Sequence, residues 1–130
     1  MYQKTIVLGN VGGDGQMRYT PDGVAVTTFN VATNRKWTDK EGVQQKKTTW
    51  FRVTTWNKLA EICNQYIHKG DLVFVEGELD SDNETGSPRI WTTQNGETRA
   101  SYELRANVVR FASTREVAQE TSESEGEVPF

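Results

Sequence analysis

One segment of this 130-residue chain has the periodicity of an amphipathic helix, whereas the segments around it are patterned for strands. Its apolar residues recur at i, i+3, i+4, i+7 and i+8, and they are Leu59, Ile62, Cys63, Tyr66 and Ile67. This spacing predicts a single helix from Lys58 to about His68. Asn57 is the expected N-cap, and Lys69 and Gly70 are the expected last-turn cation and C-terminal glycine. The fold must therefore be a mainly β architecture that accommodates one helix.

Runs rich in β-branched and aromatic residues, bounded by turn signals, define the strands. Three precede the helix and the rest follow it: Gln3–Leu8, Val24–Trp37, Thr48–Trp56, Leu72–Leu79, and Arg89–Thr92 with Thr98–Phe111 as a final hairpin. The Asn95-Gly96 pair is the turn signal of that hairpin. Three strands, a helix and two further strands form the order of a five-stranded OB barrel with its helix between strands three and four. The expected fold class is all-β.

The charge of −3 is distributed unevenly along the chain. Residues 1–111 carry 14 Lys and Arg against 13 Asp and Glu, whereas residues 112–130 carry only Arg115 against five glutamates. The last segment also has almost no apolar content, which is typical of disorder. We therefore predict an OB domain over residues 1–111 and a disordered acidic tail over 112–130. Because the domain is near neutral, any nucleic-acid site on it must be a local basic patch.

The composition disfavours several classes of function. Cys63 and His68 are each the only residue of their type, which excludes an internal disulfide and most zinc sites, and leaves a Cys-His catalytic pair only if these two residues meet. We expect no metal, no cofactor and no enzymatic activity. No apolar run approaches the roughly 20 residues of a membrane span, and the first residues lack signal-peptide features. A cytosolic location without membrane contact is expected.

The third strand carries the most informative pattern. Side chains alternate across a strand, so one face of this strand carries Lys46, Thr48, Trp50, Arg52, Thr54 and Trp56. Phe51 and Val53 lie on the opposite face and suit the core. Two tryptophans that flank an arginine are typical of a base-stacking platform, since indole faces bind bases and cations bind phosphates. The alternative is that Trp50 and Trp56 are ordinary core or interface aromatics.

The other two tryptophans also lie beside cations. Trp37 follows Arg35 and Lys36 at the end of the second strand, and Trp91 follows Arg89 in the last hairpin. Aromatic residues also line carbohydrate sites, but those sites usually pair them with carboxylates and amides. The cationic neighbours favour nucleic acid over a carbohydrate-binding OB module.

These features resemble the bacterial single-stranded DNA-binding protein family over about residues 4 to 111. The matching segments are Val7-Leu8-Gly9-Asn10-Val11-Gly12, Arg18-Tyr19, Ala32-Thr33-Asn34 leading to Trp37, Trp50 with Arg52-Val53, Asn57-Lys58-Leu59-Ala60-Glu61, Tyr66, Lys69-Gly70 and Val75-Glu76-Gly77. The resemblance implies binding of single-stranded DNA without strong sequence preference, in replication, recombination and repair.

The resemblance also implies roles for particular residues. Bases would stack on Trp37, Trp50, Trp56 and Trp91, and phosphates would contact Arg35, Lys36, Arg52, Lys58 and Lys69. The third stacking position is more often phenylalanine in the family. Members join four OB domains, so a homotetramer is expected, with a dimer as the alternative. The candidate interface residues are Ile6, Val7, Leu8 and Phe51.

The C-terminus resembles the family's acidic tip, which docks replication and repair proteins. Its residues are Glu125, Gly126, Glu127, Val128, Pro129 and Phe130, with glutamates in place of the usual aspartates and Val128 in place of isoleucine. A terminal phenylalanine with a free carboxylate suits a basic pocket with an apolar floor. The resemblance thus adds partner proteins and an association with the nucleoid to the expectations.

The chain departs from the family between Leu79 and Trp91, where the loop 80–88 is longer than usual and carries Asp80, Asp82 and Glu84. Three carboxylates could serve a metal-dependent nuclease, although their loop position favours simple solvation. A second alternative keeps the fold and changes the role, to a single-stranded RNA binder or a primosome-type accessory protein. The C-terminal tip disfavours an accessory role.

Overall fold

The computed structural model describes residues 1–112, which fold into eight strands and one helix. In chain order the elements are β1 (Thr5–Val11), β2 (Gln16–Tyr19), β3 (Ala25–Thr38), β4 (Gln44–Trp56), α1 (Asn57–Tyr66), β5 (Leu72–Leu79), β6 (Ile90–Thr92), β7 (Thr98–Ala100) and β8 (Tyr102–Ala112). Within residues 1–112, no helix has the length and apolarity needed to cross a membrane. The tail prediction for residues 112–130 concerns positions that lie, except for Ala112, outside the described residues.

Five strands close into a barrel. The hydrogen-bonded order runs β1, β5, β8, β4 and β3, and a further pairing of β3 with β1 completes the circle. All the pairings are antiparallel except that of β4 with β8, in which Phe51–Thr54 lie parallel to Tyr102–Arg105. The helix α1 lies between the third and fourth barrel strands, β4 and β5. The predicted five-stranded OB barrel with its single helix is confirmed.

Two glycines allow backbones to approach closely at the seams of this barrel. β1 pairs with β5 along Thr5–Asn10 and changes partner to β3 at Asn10 and Val11. Next to this change of partner, a Cβ on Gly9 would lie 2.2 Å from the Ala32 carbonyl oxygen. In β5 a bulge falls between Glu76 and Gly77, where a Cβ on Gly77 would lie 2.0 Å from the Arg105 carbonyl oxygen. The sequence predicts a first strand that ends at Leu8, whereas in the structure β1 continues through Gly9 to Val11.

The core fills the barrel, and α1 packs against it. The core cluster is Val7, Val11, Phe29, Val31, Val53, Cys63, Ile67, Val73, Val75, Leu104 and Ala106. Two buried threonines satisfy their hydroxyls on backbone carbonyls: Thr27 Oγ1 donates to Ala60 O (2.6 Å) and Thr55 Oγ1 to Thr27 O (3.0 Å). Val7 is only 4% exposed and belongs to this cluster, and its place in an oligomer interface stays a prediction.

The helix ends differ from the sequence prediction. Asn57 makes no side-chain capping bond; it is the first helical residue and has φ of 59°, a left-handed conformation that asparagine tolerates better than most residues. The chain therefore turns from β4 into α1 through backbone geometry. The helix ends at Tyr66, and the Ile67 N–H donates to the Cys63 carbonyl. Gly70, with φ of 92°, serves a turn beyond the helix.

The last predicted hairpin is divided between two sheets. β6 and β7 pair only with each other, with Trp91 opposite Arg99, and Gly96 forms the turn between them with φ of 83°. β8 begins after Ser101 and enters the barrel between β4 and β5. We call residues 90–100 the β6–β7 hairpin. The short strand β2 pairs with residues 25–28 of β3, and it was not predicted from the sequence.

Candidate nucleic-acid interface

The two faces of β4 differ in burial as the alternation predicted. Val53 and Thr55 are fully buried, whereas Trp50 is 51% exposed on the opposite face. Arg52 lies two residues further along that outer face and is also exposed. A large indole left half in solvent beside a cation is a surface available to a ligand.

Trp50 and Trp91 line one open groove on the barrel surface. The groove has a volume of about 740 Å³, and the β6–β7 hairpin brings Trp91 to it. Its lining residues, which define the Trp50–Trp91 groove, are Gly12, Gly13, Asp14, Gln16, Arg18, Thr28, Phe29, Asn30, Trp50, Arg52, Trp91 and Ser101. Two indoles and two guanidinium groups thus share one concave surface. This combination suits stacked bases that are followed by phosphates.

Gly12 provides the floor for the Trp50 ring. A Cβ at Gly12 would lie 2.5 Å from Cζ3 and 2.7 Å from Cη2 of that indole. The neighbouring Gly13 also lines the groove, but a Cβ there would meet nothing within 4 Å. Gly12 in the loop after β1 therefore has a specific steric role, which is to leave room for the indole of Trp50 close to the backbone.

Trp37 lies on the other face of the sheet. In the β3–β4 register Ala32 pairs with Trp50, so even-numbered positions of β3 share the outer face with Trp50 and odd-numbered positions lie opposite. Trp37 is 39% exposed, and the guanidinium carbon of Arg35 lies 5.5 Å from its ring centroid, within cation–π range. β3 and β4 form a two-stranded ribbon whose distal half, residues 33–49, has mostly exposed side chains. We call residues 33–49 the β3–β4 extension.

The β3–β4 extension places like charges directly opposite each other. Arg35 pairs with Lys47 and Lys36 with Lys46, one pair on each face. Directly opposed like charges destabilise a sheet. An arrangement of this kind is compatible with a polyanionic ligand that neutralises both pairs.

Trp56 lies apart from the Trp50–Trp91 groove, at the end of β4. The guanidinium carbon of Arg105 lies 5.3 Å from its ring centroid. Both residues line a smaller depression of about 360 Å³ with Leu59, Glu78, Ala106 and Asn107. The structure thus brings Trp50 and Trp91 together, and it places Trp37 and Trp56 at two separate positions along the surface.

A carboxylate lies between Arg52, which lines the groove, and Arg89, which stands outside the groove lining. Arg52 Nη1 lies 3.9 Å from Glu103 Oε1, and Arg89 Nε lies 3.6 Å from Glu103 Oε2. Arg89 Nη2 lies 3.4 Å from Asp80 Oδ1 as well. Glu103 is only 13% exposed, whereas Arg52 and Arg89 are 51% and 43% exposed. Arg52 is therefore an ion-paired groove residue.

The remaining predicted cations are exposed but stand outside the groove lining. Lys58 lies at the start of α1, and Lys69 lies in the loop after it, where its backbone N–H donates to Asp14 Oδ1 at 3.1 Å. Lys36 lies on the β3–β4 extension.

Several residues at these surfaces were not singled out from the sequence. They are Arg99, Glu103 and Arg105; Gly12 and Arg18 belong to segments that match the family, but no site role is predicted for either from the sequence. Only Arg99 had a detectable signal, since an Asn-Gly hairpin places it opposite Trp91.

The acidic loop residues have local structural partners. Asp80 pairs with Arg89, and Asp82 Oδ1 accepts bonds from the N–H groups of Glu84 and Thr85. These backbone donors hold the pKa of Asp82 below its usual value.

Among residues 1–112 no three His, Cys, Asp or Glu side chains are grouped to hold a metal ion. Cys63 is buried, which raises its thiol pKa to about 11, whereas His68 is exposed.

Comparison with known proteins agrees with this geometry. The chain matches the Single-strand binding protein family over residues 2–112. Proteins named single-stranded DNA-binding protein in Neisseria meningitidis serogroups A and B are each 35% identical over 127 residues, which is 98% of this chain. The chain spans 66% of the length of these relatives.

Two solved structures have the same fold. One is a Plasmodium falciparum SSB in complex with ssDNA, with a TM-score of 0.68 and 26% identity, covering 87% of this chain and 96% of that one. The other is a deletion mutant of the Thermus aquaticus single-stranded DNA binding protein, with a TM-score of 0.66 and 26% identity, covering 86% of this chain and 51% of that one. With a family match over all but one of the described residues and an OB barrel that carries exposed tryptophans beside arginines, this chain belongs to the single-strand binding protein family.

Proposed function

We propose that this chain binds single-stranded DNA without strong sequence preference and protects it during replication, recombination and repair. The observation that carries the proposal is the Trp50–Trp91 groove, in which two exposed indoles lie with Arg18 and Arg52. The solved relative from Plasmodium falciparum, described as a complex with ssDNA, supports the ligand class. The role is that of a binding protein rather than an enzyme, and it requires no metal or cofactor.

Binding would divide between stacking and charge. Indole faces accept any base because every base has a π-face, which makes stacking tolerant of sequence. The domain has a near-neutral charge balance, so electrostatic attraction is local to the arginines and lysines around the tryptophans. Stacking therefore supplies a large share of the free energy of binding. Trp37 with Arg35, and Trp56 with Arg105, would extend the path of the strand beyond the groove.

A titration of intrinsic tryptophan fluorescence tests the proposal. A deoxythymidine oligomer should quench most of the emission, because a stacked base lies against the emitting indole. A matched uridine oligomer should bind more weakly and quench less. Saturable quenching by RNA alone would replace the proposed ligand with single-stranded RNA, and no quenching by either oligomer would refute the role. Incubation of a labelled strand with divalent metal, followed by gel analysis, should show no cleavage.

Replacement of Gly12 tests the geometry of the groove. Gly12→Ala places a methyl group within 2.7 Å of the Trp50 ring, so the indole must move from its position. We expect a weaker affinity for the deoxythymidine oligomer with little change in the free energy of unfolding, since Gly12 is exposed. Gly13→Ala is the matched control, because its methyl group meets nothing within 4 Å. Equal affinities for the two variants, measured at the same salt concentration, would contradict the role of Gly12.

The acidic C-terminus is proposed to recruit replication and repair proteins in the bacterial nucleoid. The support is the sequence of the tip alone, in which Glu125 and Glu127 precede Val128, Pro129 and Phe130. The phenylalanine would anchor in an apolar pocket while the glutamates meet basic residues. Phe130→Ala should then lose the partners that the intact protein captures from a bacterial lysate, with its DNA affinity nearly unchanged. If Phe130→Ala retained every partner, the tip would have no docking role and would serve only as an acidic segment that aids solubility.

A homotetramer is proposed as the assembly that offers a longer binding surface. Ile6 is 56% exposed on the outside of β1, and Leu8 shares its face. Phe51 is partly buried and lies 5.7 Å from the Tyr102 ring, so it contributes to an interface only at its exposed edge. Light scattering should give the mass of four chains; the mass of two would support the dimer, and Ile6→Glu should lower the mass in either case.

A further inference from the structure

Glu103 is the one described carboxylate that reaches two arginines of the candidate interface. It lies on β8 beside Arg52 of β4, its register partner across the parallel pairing. Its second oxygen faces Arg89, the residue that precedes the Trp91-bearing β6–β7 hairpin. The carboxylate is 13% exposed, so little of it contacts solvent, and it lies 3.6 and 3.9 Å from the two guanidinium groups.

We propose that Glu103 is an internal counter-ion that limits the affinity of the groove for phosphate and so keeps the bound strand releasable. The proposal rests on the proposed function, and it adds a residue that tunes DNA affinity through Arg52 and Arg89. The carboxylate lowers the effective charge of Arg52, and it adds to the neutralisation of Arg89 that Asp80 already provides.

The distances favour a charge effect over a positioning effect. The Glu103 ion pairs are 3.6 and 3.9 Å long, whereas charge-assisted hydrogen bonds are typically about 2.7–2.9 Å long. The hairpin pair between Arg99 and Glu97 reaches 2.7 Å and shows what a tight pair looks like in this fold. Arg52 also lies within a strand paired on both sides, opposite Asn30 and Glu103, so the sheet fixes its place.

Both arginines retain donors for a ligand. A guanidinium has five N–H donors. The long contacts to Glu103, together with the contact of Arg89 Nη2 to Asp80, engage only part of them. Arg52 and Arg89 keep about half of their side chains exposed, at 51% and 43%. A phosphate can therefore approach the exposed part of either group while Glu103 keeps its contacts. A covered carboxylate is also less screened by salt than an exposed one.

The test compares Glu103→Gln with Glu76→Gln. Glutamine retains the size and one acceptor oxygen and removes the charge. Glu76 is the matched control: it is a partly covered carboxylate, 23% exposed, paired with Lys4 at 3.3 Å on β5, outside the groove lining. Affinity for a deoxythymidine oligomer is measured over a series of salt concentrations. At low salt Glu103→Gln should bind about 3- to 10-fold more tightly than the wild type, a range consistent with one charge acting at several ångströms near a surface.

The salt dependence is the more specific readout. The readout is the slope of the logarithm of the binding constant against the logarithm of the salt concentration. Each arginine freed to contact a phosphate should steepen this slope by up to about 0.7. If Glu103 had only a structural role, Glu103→Gln would weaken binding and would not steepen the dependence of affinity on salt. The gain should shrink in the background of Arg52→Ala, because the counter-ion then has one groove cation fewer to neutralise.

The outcomes separate this inference from the proposed function. If the wild type binds no single-stranded oligomer, the proposed function fails. If the wild type binds and Glu103→Gln matches Glu76→Gln or binds more weakly, only the counter-ion role is overturned. Thermal unfolding checks that the variant is folded. Should glutamine prevent folding, Glu103→Met replaces the carboxylate with a side chain of similar size and no charge, and it should show the same tighter, more salt-dependent binding.

Discussion

Trp50→Ala should lower the affinity for a deoxythymidine oligomer by about 1–3 kcal/mol, the range typical for loss of one stacked base. Trp50 is half exposed at the centre of the outer face of β4, and Gly12 and Arg52 line the same groove. Removal of the indole therefore removes the stacking surface and leaves the barrel core untouched. The dissociation constant, measured by fluorescence anisotropy of a labelled strand, should rise by a factor of roughly 5 to 150.

Two further variants make this result specific. Trp50→Phe keeps an aromatic face and should recover most of the affinity. Tyr66→Ala removes another exposed aromatic, 54% exposed on α1 beside Phe111, and should bind as the wild type does. Equal losses for Trp50→Ala and Tyr66→Ala would mean that general surface disruption, rather than stacking in the groove, explains the effect.

The largest effect on stability is expected from Gly77→Ala. The added Cβ would lie 2.0 Å from the Arg105 carbonyl oxygen and 2.8 Å from the Ala106 Cα, both of them backbone atoms that no rotamer change can move. The β5–β8 pairing must open at the bulge, and overpacking of this kind costs about 1–3 kcal/mol or more. This exceeds the roughly 0.4–1 kcal/mol by which alanine stabilises through the unfolded chain.

Chemical denaturation measures the loss, with Gly13→Ala as the control. Both changes add one methyl group to a glycine, and only the methyl group at Gly77 meets an obstacle. The free energy of unfolding of Gly13→Ala should remain within about 0.5 kcal/mol of the wild type, as is usual for surface substitutions. An equally stable Gly77→Ala would show that the seam between β5 and β8 shifts at little cost.

Local periodicity predicted the architecture well because each barrel strand presents one face to the core. The alternation around Val53 identified the outer face of β4, and the apolar stripe from Leu59 to Ile67 identified α1. The prediction was less accurate where the chain departs from regular pairing. At Gly9 the strand changes partners instead of ending, and at Asn57 the backbone adopts positive φ instead of a capping bond.

Contacts between residues that are far apart in the sequence could not be predicted from local patterns. Glu103 meets Arg52 only because β8 lies parallel to β4, and Arg105 reaches Trp56 through the same pairing. Val7 is grouped with Ile6 and Leu8 by its position in the sequence, whereas the alternation of β1 directs it into the barrel, where it is 4% exposed. Trp37 and Trp50 were both identified as stacking candidates, but the register that places them on opposite faces is a property of the paired sheet.

The opposed cations of the β3–β4 extension have a consequence for local dynamics. The ribbon is destabilised by electrostatic repulsion, because Arg35 lies opposite Lys47 and Lys36 lies opposite Lys46. Its side chains are mostly exposed and none of them belongs to the core cluster. Segments with these properties lie at the low end of local stability and exchange their amide protons readily. A polyanion bound along the ribbon would remove this repulsion, so binding of the proposed DNA ligand and ordering of the extension would be thermodynamically linked. The ribbon would thus stiffen in proportion to the phosphate it holds, and part of the binding free energy would be spent on its order.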